Sequence, residues 1–488
     1  AGLGATGRVV CGGGGRTLSL PEIVRIRAYA GTASPFNFNG LVRHSYLRSR
    51  PEQGDLQVNL LPKSDRDRES HAVALDLRER LKGLPAPEGT AIRVVEVPPG
   101  PPVLATLLAE IYGPDAETRR AVAAETRQLF ESVPYVVDVD DSFGRPRPRL
   151  RIAIDQDQIE FLGVRQSDVY STVRALLDGV PVGYSHRGEG RDPIEIAIRL
   201  PRSGLSWNEA MAATPVPADT IPGTRGVVEL GDVVTVSVED GSYPIFRRDG
   251  RFAEMVTAEL AGAFEAPIYG MMDVADAVHA HDWGSLPKPE ILIYGQPDDE
   301  TKASLLWDGE WEITYVTFRD MGAAFMVAIL GIYVLVVAQF GSFRLPLVIL
   351  TPIPLTLIGI MIGHWLLGAA FTATSMIGFI ALAGIIVRNS ILLVDFIRHS
   401  GHEGASLRDI LLEAGAVRFK PILLTAIAAM IGAATILLDP IFQGLAISLL
   451  FGLASSTLLT VLVIPAIYVA LRGERNVAAA QTPDAPAI

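Results

Sequence analysis

The chain has 488 residues, 49% hydrophobic and 20% charged, with a net charge of -12 and one cysteine, Cys11. That length accommodates two or more folded units; the lone cysteine excludes an internal disulfide framework, and an acidic chain without a Lys/Arg stripe excludes nucleic acid as an expected partner. The averages hide a split, because the chain mixes polar and apolar positions up to Arg319 but is mostly apolar from Met321 to Leu471. A membrane protein with a large water-soluble head is the class this implies.

The opening stretch AGLGATGRVVCGGGGRTLSL has neither an initiator Met nor an apolar core long enough for a signal peptide, so the chain reads as truncated. Its G-L-G-A-T-G matches the dinucleotide fingerprint, yet no strand precedes it and a glycine run follows where a helix should begin. CGGGGR lacks the Gly-Lys-Ser/Thr of a phosphate loop, so residues 1–24 are expected to carry no chemistry. DLQVNLL then alternates as a strand, SDRDRESHAVALDLRERLKGL predicts a helix started by Ser64 with Val73, Leu77 and Leu81 on its apolar face, and AIRVVEV alternates again. Beyond PPGPP, ATLLAEIYG reads as a strand, DAETRRAVAAETRQLFESV as a helix and VVDVDD as a strand. The order β-α-β-β-α-β suits a split βαβ, ferredoxin-like unit, although its halves can equally belong to neighbouring subdomains.

RLRIAIDQDQIEFLGVRQSDVYSTVRALLDG gives a strand and helices, and DPIEIAIRL and VVELGDVVTVSV give strands. A hairpin is expected at Asp249-Gly250, then a helix near Met271 to His281 and a last strand, PEILIYG. The head is therefore α+β. It contains no G-x-S-x-G, H-E-x-x-H or C-x-x-C, so enzyme chemistry is not expected. His279, His281 and Asp282 in HAHD are expected to end a helix in a solvated turn instead of binding metal, and Met271 and Met272 to divide between core and surface.

A membrane-crossing helix needs roughly 20 apolar residues. Five stretches qualify: Met321 to Phe340, Leu345 to Leu367, Thr372 to Ile397, Pro421 to Leu438 and Phe442 to Leu471. The connections carrying Arg344, then Arg398, Arg408, Arg418 and Lys420, then Arg472 and Arg475 alternate with connections that have no Lys or Arg. The positive-inside rule puts all of these on the cytoplasmic side, and residues 1–319 in the periplasm of a Gram-negative cell. In ALAGIIVRNSILLVDFI, Arg388 precedes the boundary residue Arg398 by ten positions, which places it about 15 Å deep. An arginine at that depth requires a protein interior and a partner, either as a fixed helix staple or as a functional group. Asp320, Asp395 and Asp439 all lie near helix ends, so the partner is expected in another segment or another polypeptide.

LAGIIVRNSILLVDF followed by EAGAVRFKPILLTAIAAMIGA resembles the tenth and eleventh transmembrane helices of resistance-nodulation-division (RND) efflux pumps, inner-membrane drug/proton antiporters of tripartite systems. FGSFRLPLVILTPIPLTLIGIMIG resembles the eighth and ninth helices, LRIAIDQDQIEFLGV a docking-domain strand and helix, and SPFNFNGL the gate loop. The resemblance implies α+β porter and docking subdomains with ferredoxin-like βαβ units, followed by an all-α bundle of five transmembrane helices. It divides the chain into a first porter subdomain at 25–103, a second at 104–148 and 237–318, a docking subdomain at 149–236, a transmembrane domain at 319–473 and a disordered tail at 474–488.

The resemblance also implies site roles. Arg388 matches the basic position that pairs with two aspartates on the family's fourth helix, and Asn389, Thr425 and Arg418 match other positions of the proton relay. Arginine where many members have lysine acts as a fixed counter-ion, since guanidinium does not release its proton. Phe36 and Phe38 match the gate-loop aromatics beside the substrate path, with ordinary core packing as the alternative. The fourth-helix aspartates and the first half of the pump are not in this sequence. The expectation is the C-terminal part of a transporter exporting hydrophobic or amphipathic compounds, driven by the proton gradient without a bound cofactor. Expected partners are a complementary N-terminal half, further copies in a homotrimer, a periplasmic adaptor, an outer-membrane channel and the bilayer. The metal-cation branch ranks second because residues 1–210 contain no methionine for a soft-metal path, and an inert membrane fragment is the remaining alternative.

Overall fold

The computed structural model describes residues 3–87, 89–96, 103–146, 148–187, 193–201, 206–221, 224–262, 266–399, 407–439 and 441–472; the tail expected at 474–488 lies outside them. Residues 143–245 form one compact unit, and the remaining residues form the other.

The glycine-rich start is a helix, α1 (Leu3–Thr17), which overturns the expectation that a glycine run ends helical structure there. Glycine is tolerated because the helix needs a side-chain-free face: a Cβ on Gly13 would lie 3.2 Å from Leu56 and one on Gly12 3.3 Å from Leu84. Strands β1 (Ile23–Ala30) and β2 (Gly54–Leu60) pair antiparallel, with the short α2 (Phe38–Val42) between them in sequence. Helix α3 (Ser70–Leu81) begins after Glu69, not at Ser64, which lies in a 3-10 turn. Arg16 donates to Arg80 O, Lys82 O and Gly83 O at 2.9, 3.0 and 3.3 Å, covering carbonyls that the end of α3 leaves open. Residues 91–96 alternate yet form no strand. The Val94 carbonyl accepts instead from the Arg78 guanidinium at 2.8 Å.

The next elements, β3 (Leu107–Tyr112), α4 (Ala116–Ser132) and β4 (Val136–Asp141), start a second sheet. The two halves of the expected β-α-β-β-α-β unit therefore belong to different sheets. In the unit at 143–245, β5 (Pro148–Ile154), α5 (Gln156–Phe161), α6 (Gln166–Leu177), β6 (Val180–Ser185), β7 (Ile194–Ile198), α7 (Glu209–Ala212), β8 (Pro215–Ile221), β9 (Thr224–Glu229), α8 (Leu230–Val233) and β10 (Val234–Asp240) follow one another. Its strands pair as β5 with β10, β8 with β9 and β6 with β7; the first two pairs pack around Ile159, Val169, Val216 and Leu230, whereas the β6–β7 hairpin is mostly exposed.

Beyond it, β11 (Arg247–Arg248) and β12 (Arg251–Phe252) make the expected hairpin, with positive φ of 49° at Asp249 and 83° at Gly250. Then β13 (Glu254–Leu260), α9 (Pro267–Ala280), β14 (Glu290–Leu292) and β15 (Ser304–Gly309) complete a five-stranded sheet of order β14-β15-β3-β13-β4, antiparallel except for the β14–β15 pair. Every residue of β3 and β15 is buried, and Trp307 of β15 meets Phe130 of α4 with ring centroids 5.8 Å apart.

From β15 the chain passes through Gly309, at φ 72°, straight into α10 (Glu310–Phe340), so the first long helix begins well before Met321. Among the described residues five stretches have the length and hydropathy to cross a membrane: α10, then α11 (Leu345–Leu350) with α12 (Pro352–Leu366) as one span, α13 (Ala373–His399), α14 (Leu407–Ala434) and α15 (Gln443–Arg472). Helix α14 starts earlier than expected, so Arg408, Arg418 and Lys420 lie on the helix itself.

Small residues set the packing. On α15, Gly444, Ser448, Gly452 and Ser456 repeat every four residues. A Cβ on Gly444 would come within 2.3 Å of Ser375 Oγ, and one on Gly452 within 2.3 Å of the Leu382 side chain of α13. A Cβ on Gly378 would lie 2.7 Å from Ser448 Cβ, and one on Gly359 of α12 would lie 2.9 Å from the Phe451 carbonyl. Without a hydrophobic drive between helices in lipid, such close backbone approach supplies dispersion contacts that hold α12, α13 and α15 together. Gly359→Ala should therefore cost about 1–3 kcal/mol through overpacking, measured as resistance of the purified chain to denaturing detergent. Gly432→Ala, whose added carbon meets no atom of another element within 4 Å among the described residues, should not lower it.

Candidate functional site

The small-residue seam fixes the rotation of α13. Ser375, Gly378, Leu382, Ile386, Asn389, Leu393 and Ile397 form its buried face, while Ile377, Ala381, Gly384, Arg388 and Leu392 form an exposed ridge. Both series follow the three- and four-residue spacing of one helix face. Arg388 thus sits near the middle of α13 on the side turned away from the seam. It lines an open groove of about 460 Å³ with Gly384, Val387, Ile391 and Leu392 of its own helix and Ile332 of α10. Among the described residues its guanidinium has no ion pair and no hydrogen bond. Asp395 is no substitute, because it faces His399 one turn on, with Oδ1 and Nδ1 3.3 Å apart.

The other expected relay residues are placed separately. Asn389, about 100° round the helix from Arg388, is buried beside Ser390, whose buried Oγ has no hydrogen-bond partner among the described residues. Thr425 is exposed and donates to its own helix at Pro421 O, 2.6 Å away. Arg418 is half-buried with its guanidinium 5.1 Å from the centre of the Phe396 ring, a contact that joins α14 to the end of α13. Arg398 caps α10 in the same region by donating to Phe340 O at 3.1 Å. No hydrogen bond or ion pair among the described residues links Arg388 to Asn389, Thr425 or Arg418.

In SPFNFNGL, Phe36 and Phe38 are 70% and 55% exposed, so neither is a core residue. Local chemistry explains how they stay in the open: Asn37 caps α2, its Oδ1 accepting from Gly40 N at 2.7 Å. Arg43, just past α2, donates to Leu104 O at 2.9 Å and pairs with Glu259 of β13, which also accepts from the Thr106 hydroxyl at 2.6 Å. A second link joins Arg78 of α3 to Asp138 of β4, Nε to Oδ2 at 3.2 Å, where a register shift puts Asp138 at a left-handed φ of 54°. Burial pushes the Asp138 carboxyl up from its ordinary range. No local spacing marks these pairs in the sequence, since each joins elements far apart in the chain.

The HAHD segment is occupied by ordinary contacts. His281 Nε2 lies 3.0 Å from Glu125 Oε1 and its ring meets Trp283 edge-on, while Asp282 accepts from Gly284 N at 3.1 Å. Among the described residues no group of His, Cys, Asp or Glu is arranged to hold a metal ion. Met271 is buried and Met272 exposed.

Against known proteins, the model of the AcrB/AcrD/AcrF family matches residues 22–472. The cobalt-zinc-cadmium resistance protein CzcA of Cupriavidus metallidurans is 26% identical over 464 residues, which cover 92% of this chain and 41% of the relative. The multidrug resistance protein MdtC of Yersinia pseudotuberculosis is 31% identical over 447 residues, covering 88% and 40%. A crystal structure of a heavy metal efflux pump superposes with a TM-score of 0.75 at 19% identity, covering 96% of this chain and 46% of that one, a likeness of fold. The chain thus spans less than half the length of these proteins.

Because Arg388 has no partner among the described residues, Arg388→Leu should leave the unfolding stability of the chain alone equal or higher. A loss above about 0.5 kcal/mol in detergent unfolding would contradict its open placement.

Proposed function

Since this chain belongs to the AcrB/AcrD/AcrF family of RND efflux pumps, whose members are secondary transporters and not enzymes, we propose that its 488 residues supply the C-terminal part of a proton-driven efflux pump. The observation that carries this is Arg388: a permanent cation halfway along a membrane-length helix, on an open groove, without an acid among the described residues. Insertion of arginine at a helix centre costs about 2.5–3.5 kcal/mol. A carboxylate at about 4 Å returns about 4 kcal/mol at an effective dielectric constant near 20, enough to offset it. We infer that an apolar helix carrying carboxylates, from outside these residues, fills the groove. Because guanidinium stays charged, the carboxylates are the groups that gain and lose protons: deprotonated they pair with Arg388, and protonated they release it. Asn389, Thr425 and Arg418 would act at separate points along such a path.

For the substrate, heavy-metal cations move ahead of amphipathic compounds, supported by the likeness to CzcA and to the nickel and cobalt resistance protein CnrA, each over 92% of the chain. Export of amphipathic compounds keeps two supports, the exposed Phe36 and Phe38 and the 31% identity to the multidrug resistance protein MdtC over 88% of the chain. The unit β3-α4-β4 with β13-α9-β15, whose sheet runs β15-β3-β13-β4, would be the ferredoxin-like second porter subdomain, and residues 149–236 the docking subdomain. With the basic helix connections in the cytoplasm, the soluble part would face the periplasm, where trimer formation, an adaptor and an outer-membrane channel complete the assembly.

The test is expression in efflux-deficient cells together with a family first half bearing the aspartate pair. Export of zinc, cobalt and cadmium, or of an amphipathic dye, should appear and be abolished by Arg388→Ala. Export that survives this substitution would remove Arg388 from the mechanism.

A further inference from the structure

Where β15 becomes α10, four carboxyl groups surround one arginine. Glu110 of β3, 1% exposed, stands opposite Leu306 of β15, and Asp308 lies two residues further on the same face of the sheet. Arg248, on the β11–β12 hairpin, reaches both: Nε lies 3.1 Å from Glu110 Oε1 and Nη2 lies 2.9 Å from Asp308 Oδ2. The same Nη2 is 3.5 Å from Glu312 Oε2 in the first turn of α10, and Nε is 3.9 Å from Asp249 Oδ2. Tyr112 donates to the other oxygen of Glu110 at 2.5 Å, and Gln296 donates to Asp249 at 3.3 Å. One guanidinium cannot neutralise this set, and two buried carboxylates cannot share its face without a proton between them.

We propose that Glu110 and Asp308 hold one exchangeable proton between them, and that this proton, with Arg248, latches the root of α10 to the central part of the five-stranded sheet. Protonated, Glu110 donates to Asp308 and the cluster closes; deprotonated, the carboxylates of β3, β15 and α10 repel and the junction loosens. The chemistry agrees with this placement. Burial and the neighbouring Asp308 push the Glu110 carboxyl up to about 8. Burial works the same way on Asp308, but hydrogen bonds from Glu312 and Glu110 and the Arg248 charge outweigh it and hold that carboxyl below its usual range. For Glu110 the folded state therefore keeps a proton that the unfolded chain, with an ordinary value of 4.5, has lost. Its stabilising contribution is full at or below that ordinary value, falls as pH rises toward about 8, and is gone above it. The latch does not depend on which substrate the pump exports.

Hydrogen exchange of the junction amides, Leu306 to Tyr315, in the full chain in lipid nanodiscs tests the latch once rates are corrected for the intrinsic effect of pH. Protection should fall by up to about tenfold per pH unit between about pH 6 and pH 8. The side-chain hydrogen bond with Asp308, and burial, also push the Glu312 carboxyl up to about 7, so Glu110→Gln, which cannot lose a proton, should flatten the slope to the share Glu312 contributes, and Glu110→Gln with Glu312→Gln should give a flat profile. If these variants do not fold, Asp308→Asn, which removes the charge that raises Glu110, should move the midpoint to lower pH. A wild-type profile without pH dependence, an unchanged slope in Glu110→Gln, or an unmoved midpoint in Asp308→Asn would overturn the proposal.

Discussion

The membrane part of this chain depends on one packing constraint, the row of small residues by which α15 meets its two neighbours. Gly444, Ser448 and Gly452 bring the α15 backbone against Ser375, Gly378 and Leu382, and Gly359 does the same from α12. Once α13 is turned so that this face is buried, its helical period leaves no choice for Arg388, which emerges on the other side. The position of the charge is thus a consequence of where the glycines are. Only 11% of the apolar stretch of α10 and 17% of that of α14 is buried, against 56% for α13, so the flanking helices present broad apolar faces to lipid or to further helices.

In the part connected to these helices, arginine ion pairs link elements around the buried core of β3, α4, β13 and β15. Arg43 and Arg78 join the β1–β2 region to β13 and β4, and Arg248 joins a hairpin to the base of α10. Half-buried pairs of this kind are costly to break from one side, because the remaining charge keeps its desolvation penalty. They also leave Phe36 and Phe38 uncovered: Arg43 ties the loop's helix to the sheet by its far end, so the aromatic end needs no packing of its own.

Much of this was legible in the residues, for identifiable reasons. The five spans are set by runs of apolar residues too long for anything else, and the Asp249-Gly250 hairpin by the positive φ that two adjacent turn residues must accept. The polar first turns of α10 and α14 escaped notice because hydropathy reports lipid contact and not hydrogen bonding. AIRVVE alternates like a strand, but a strand requires an adjacent edge, and Arg78 takes the Val94 carbonyl. The glycine run misled in the opposite direction, since a neighbour's demand for closeness outweighed the low helix propensity of glycine. At the site, the depth of Arg388 could be counted from Arg398, whereas the exposure of Arg388 and the burial of Asn389 became visible only with the rotation of α13. Glu110 did leave a trace, an acid in the otherwise apolar strand LLAEIY, but the arginine opposite it came from a distant hairpin.

The central claim, that α13 is rotated to offer Arg388 to a helix outside these residues, can be measured directly by thiol labelling. With Cys11→Ser as background, Arg388→Cys and Asn389→Cys are each exposed to a small membrane-permeable maleimide, with and without a family first half. Position 388 should react readily in the chain alone and become protected in the complex, and position 389 should stay unreactive in both. Equal labelling of the two positions in the chain alone, or a 388 thiol that the first half leaves unprotected, would contradict the account.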